Sequence, residues 1–156
     1  MRAYLLIPLV LSALAIPALA RADTLMIDVN DQAGERKIVE RLAAVQGQKA
    51  HIGGGQSRTE IVRNLDETFA AAERGEIALD SLVLSGHSRT GQDFFGQDHH
   101  AQLLFTDMIE LRERYPKAFG QIRNVMLMGC FAGTEDDSEA WQDLFPNVIT
   151  IAGQRR

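Results

Sequence analysis

The chain has 156 residues, of which 46% are apolar, 24% charged and 6% aromatic, and it contains one cysteine. That length and apolar content suit one buried core and exclude disorder, while the lone Cys130 excludes a disulfide scaffold. A net charge of −5 with no run rich in Lys or Arg argues against nucleic acid or an anionic membrane surface as the main partner.

Met1 and Arg2 give a positive start, residues 5–16 are almost wholly apolar, and Ala18-Leu19-Ala20 offers small residues to a signal peptidase. This three-part pattern predicts a secretory signal peptide over residues 1–20, with a cut after Ala22 as the alternative. Pro8 and Pro17 interrupt the apolar run, and no later segment is long enough to span a bilayer. The expectation is a domain of residues 21–156 in the periplasm or outside the cell, with no membrane partner once the leader is removed.

Residues 24–29 are a short β-prone run, and residues 35–46 carry Ile38, Val39, Leu42, Ala43 and Val45 at helical spacing. His51-Ile52 reads as a weak second strand. The following Gly53-Gly54-Gly55 lacks both the Lys-Ser/Thr of a P-loop and the spacing of a dinucleotide fingerprint, so it reads as a turn. Ser57 then caps a helix, with Glu60 completing a capping box, Ile61, Leu65, Phe69 and Ala72 on one stripe, and Gly75 as the stop.

Residues 81–85 form a continuous apolar run typical of a strand buried on both faces, ending in Gly86-His87. A loop rich in Gly, Asp and His covers residues 88–100. Leu103, Leu104, Met108 and Leu111 mark a helix that Pro116 stops. Residues 122–128 repeat the buried-strand pattern and end in Gly129-Cys130. A polar loop, a short helix over 138–145 packed through Trp141, Leu144 and Phe145, and a strand over 148–152 complete the chain. Strands separated by helices predict a three-layer α/β sandwich with a mainly parallel sheet and helices on both faces.

In such sheets the ligand crevice lies beyond the carboxyl ends of the strands, and two of those ends carry His87 and Cys130. The helix between them fits a right-handed crossover, which makes the strands parallel neighbours and brings both residues to one edge. A thiol and an imidazole together are the minimum set for nucleophilic acyl transfer. Ser85, Gly86 and Gly91 on one side, and Gly129, Ala132 and Gly133 on the other, leave room for backbone N–H groups to approach an oxyanion.

A buried strand ending in His, a helix, and a second buried strand ending in a small residue and Cys some forty residues later resembles the caspase-like cysteine peptidases of clan CD. The matching segments are Leu82-Val83-Leu84-Ser85-Gly86-His87 and Val125-Met126-Leu127-Met128-Gly129-Cys130. The resemblance implies a caspase-like α/β fold, Cys130 as nucleophile, His87 as general acid/base, and the Cys130 amide in the oxyanion hole. The family usually has Gly directly after its His, where this chain has Ser88, so the second oxyanion donor is assigned to a loop amide near Gly86 or Ser88. Such peptidases continue past the fifth strand, so the expected domain is their catalytic half, cut short at the C-terminus. The implied activity is endopeptidase cleavage of a peptide or protein substrate without a cofactor.

Asp93 and Asp136, in acidic loops flanking the crevice, are expected to draw a basic substrate side chain. His99 and His100 beside Asp93 and Asp98 suggest metal ligands, but adjacent residues in an extended segment point to opposite sides, so no metal is expected. Two alternatives remain open. Gly86-His87-Ser88-Arg89-Thr90 approximates the nucleophile elbow of a truncated α/β-hydrolase with Ser88 as nucleophile, although Thr90 replaces its last glycine. The same fold can also serve as a non-enzymatic domain that binds a peptide or partner.

Overall fold

The computed structural model describes residues 22–30, 33–45, 47–97, 99–130 and 135–153. The expected signal peptide lies outside the described residues, as do Asp98, Ala132 and Gly133. Among the described residues no helix is long and apolar enough to cross a membrane.

The apolar runs become strands β1 (Ala22–Asp28), β2 (Ala50–Ile52), β3 (Ala78–Ser85), β7 (Asn124–Met128) and β8 (Thr150–Gly153). They form one sheet in the order β2-β1-β3-β7-β8, parallel at every pairing. The architecture is therefore α/β around an all-parallel five-stranded sheet. A second, antiparallel sheet joins β4 (His87–Ser88), β5 (Phe94–Phe95) and β6 (Gln102–Leu103). The segment expected to be a loop over 88–100 thus holds β5 and the end of β4, and Leu103, expected to open a helix, ends β6 instead, with the helix starting at Phe105. Strands of two residues are too short for hydrophobic alternation to announce them.

Among the described residues the strands are connected by α1 (Ala33–Val45), α2 (Arg58–Glu73), α3 (Phe105–Arg114), α4 (Pro116–Gln121) and α5 (Glu135–Leu144). The cap of α2 forms as expected, with the Ser57 hydroxyl accepting the Glu60 N–H at 3.3 Å. Pro116 does more than stop a helix. It occupies the first turn of α4, where its missing N–H costs nothing.

Because side chains alternate across a strand, Leu82, Leu84, Val125 and Leu127 face one side and join Ile61, Leu65, Phe69, Met108, Leu111, Phe119, Trp141 and Phe145 in the main core. That face belongs to α2, α3, α4 and α5. Among the described residues the other face is covered by α1, whose buried Val39 and Ala43 lie over β1 and β2. On β7 burial alternates, leaving Met126 and Met128 partly exposed. Helices do flank both faces as expected, but very unequally.

The glycine run after β2 lies against β1. Gly53 donates to the Met26 carbonyl at 2.7 Å, and the Gly54 carbonyl accepts the Asn64 amide at 2.8 Å. Across the helical layer, Arg58 grips the buried Asp107 through two hydrogen bonds of 3.1 and 2.7 Å, joining the first turns of α2 and α3.

Candidate active site

The strand order reverses direction between β1 and β3, and the crevice of such a sheet opens beyond the carboxyl ends at that switch. Gly86 and His87 follow β3 there. β3 and β7 are paired in register up to Ser85 with Met128. One residue on, the Gly86 N–H still donates to the Met128 carbonyl at 3.4 Å, and a Cβ at Gly129 would sit 3.2 Å from the Gly86 carbonyl oxygen. His87 and Cys130 are the next residues of the two chains, so both leave the sheet at one edge. Both are exposed, and no direct hydrogen bond joins them.

Gly129 makes that approach possible. A Cβ there would stand 2.6 Å from the ring of Phe94 and 3.2 Å from the Ser88 Cβ, closer than any other residue could tolerate. The Gly86 amide is occupied by Met128 and is not free to meet an oxyanion, whereas no carbonyl accepts the Cys130 N–H among the described residues.

The loop after His87 is held from two sides. The Ser88 hydroxyl is buried and accepts the Gly91 N–H at 2.7 Å, and Gly91 adopts φ +76°, which glycine alone visits freely. The indole N–H of Trp141 donates to the Gly91 carbonyl at 3.0 Å, while the same ring stands edge-on to Phe94 and Phe105. Trp141, expected only to pack the last helix, therefore anchors the His87 loop. Ser88 lies in an antiparallel ladder with Phe94, not on the strand-to-helix turn that a nucleophile elbow requires.

The acidic pair is not assembled as a common pocket. One Asp93 oxygen accepts the Phe105 N–H at 2.9 Å, capping α3. Asp136 is exposed on α5 and lines none of the cavities beside His87. His99 stacks on Phe95 with ring centres 4.7 Å apart, and among the described residues no group of three metal-binding side chains comes together. Sequence reasoning passed over Arg89, Phe95 and Gln102, which share the exposed face of the small sheet with His87. No periodic signal marks them, because two-residue strands carry no period.

No protein-family model matches the chain, and no curated protein matches it in sequence.

Proposed function

We propose that the domain is a cysteine peptidase of the caspase-like kind, exported from the cell, with Cys130 as nucleophile and His87 as its acid/base partner. The observation that supports this reading is the in-register parallel pairing of β3 and β7, after which the chain continues into His87 and the exposed Cys130 at the same end of the sheet. The antiparallel ladder that begins at His87 follows the same strand end and fixes the loop beyond the imidazole.

In the proposed reaction His87 takes the thiol proton and the Cys130 sulfur attacks the substrate carbonyl carbon. A C–S bond forms, and the carbonyl electron pair moves to oxygen, where the Cys130 N–H and a second amide after His87 stabilise it. Collapse of this adduct breaks the C–N bond as the imidazolium gives its proton to the departing amine. Water, deprotonated by His87, then adds to the thioester and releases the acid, returning the proton to sulfur.

The decisive measurement combines thiol chemistry with turnover. In the unaltered domain Cys130 is expected to alkylate with iodoacetamide faster than a free thiol at neutral pH, and His87→Ala to remove that excess. Cleavage of a mixed quenched-peptide pool is expected to vanish in Cys130→Ala and to fall about a hundredfold or more in His87→Ala. A thiol of ordinary reactivity, indifferent to His87→Ala, would leave the fold as a peptide-binding module.

A further inference from the structure

The face of the small sheet that carries His87 holds side chains that take no part in these steps. Residues directly opposite in an antiparallel ladder share a face, so His87, Phe95 and Gln102 form one row. The Arg89 guanidinium carbon lies 5.6 Å from the centre of the Phe95 ring. Around that ring stand the imidazoles of His99, 4.7 Å away, and His87, 5.9 Å away.

The platform is preorganised. His99 has φ +60°, a conformation few residues other than glycine adopt. Gln102 holds it there by donating to its carbonyl at 2.6 Å, while the His99 N–H donates to the Gly96 carbonyl at 3.1 Å. Arg89, Phe95, His99 and Gln102 border a cavity of about 500 Å³. Asp93 is the carboxylate on its rim, and it is turned to the first N–H of α3, where the helix dipole offsets part of its charge. Among the described residues no carboxylate pairs with Arg89.

A guanidinium with no carboxylate partner among the described residues, steadied on an aromatic ring, is a receptor for a carboxylate, which it can grip with two parallel hydrogen bonds. The net charge of −5 repels anions at long range, so selection here works by contact and not by steering.

We propose that this platform is a subsite for a carboxylate-bearing substrate side chain on the leaving-group side of the scissile bond. Its place in the reaction rests on the peptidase reading: His87 passes its proton to the departing amine, so the departing residue lies on the His87 side. Arg89 takes the carboxylate, Phe95 supports the methylenes, and His99 is the second donor. Asp93 borders this same cavity, so the acidic-loop expectation of a basic side chain and this carboxylate subsite predict opposite preferences, which a Glu and a Lys peptide separate.

The test uses two fluorescein-labelled octapeptides that differ only in a central Glu or Lys. Binding is measured by anisotropy on the Cys130→Ala domain, and cleavage of the same pair in quenched form is measured on the unaltered domain. The Glu peptide is expected to bind about tenfold more tightly, and Arg89→Gln, an exposed substitution, to abolish the difference. Equal binding of the two peptides, or a Glu preference that survives Arg89→Gln, overturns the subsite. Arg89-dependent binding with no cleavage of either peptide keeps the subsite and removes the peptidase. Cleavage of both at equal rates with equal binding does the reverse.

Discussion

The two strand ends that meet at the crevice are built differently. After β3 the chain continues into a three-stranded ladder, and the loop beyond His87 is tied down by Ser88 and Trp141. After β7 it reaches an exposed thiol whose position is fixed by strand register and by the contact of Gly129 with Phe94, Gly86 and Ser88. The imidazole thus sits on a rigid element, while the thiol depends on one glycine. A site keeps its geometry only as well as its less supported partner, so the β7 end is where small changes should be felt in activity before they are felt in stability.

Four substitutions test this contrast. Trp141→Ala should have the largest effect, because it empties a fully buried indole site and frees the Gly91 carbonyl. A loss of about 3–5 kcal/mol in urea denaturation followed by circular dichroism is expected. A loss below about 1 kcal/mol would mean that the His87 end is not anchored as described. Gly129→Ala pushes a methyl group into Phe94 and should cost about 1–3 kcal/mol. It should also depress peptide turnover more than Trp141→Phe does, since it shifts Cys130 directly; the opposite ranking would reverse the contrast.

Gly91→Ala forces a side chain into a left-handed conformation and should cost about 1–2 kcal/mol, with a smaller loss of turnover than Gly129→Ala. The smallest effect is expected away from both ends. The Tyr115 hydroxyl donates to Asp66 at 2.9 Å, and this bond, with burial and the Asp66 charge, holds the phenol above its usual range. Its contribution is therefore complete below the unfolded value of about 10 and is lost as pH rises through the higher folded value. Tyr115→Phe should lessen the alkaline drop in urea midpoint while leaving the His87 and Cys130 ends untouched. An identical alkaline profile in the variant would refute the assignment.

What could be read from the sequence divides along the length of the elements. The long apolar runs around Leu82 and Val125 and the capped stripe from Ser57 to Ala72 state their periods clearly, and they become β3, β7 and α2. The parallel pairing of the strands that end before His87 and Cys130 followed from a crossover rule applied to those strands. The ladder of His87, Phe95 and Gln102 was hidden because each strand has two residues and its pairing spans distant positions. The dual role of Trp141 was hidden for a similar reason: a buried indole looks the same in sequence whether its N–H meets a neighbour in its own helix or a loop 50 positions away. The local roles of the acids were hidden too: Asp93 accepts the first N–H of α3 from 12 positions away, and Asp136 is an exposed residue of α5.

Trp141 is also the chain's single tryptophan, so the protein's indole emission comes from one place. Its N–H ends on the backbone of the loop that follows His87. Ultraviolet fluorescence of the unlabelled domain therefore reports on the core site where Trp141 meets Phe94, Phe105 and that loop, and a bound peptide that disturbs the loop is expected to shift the emission.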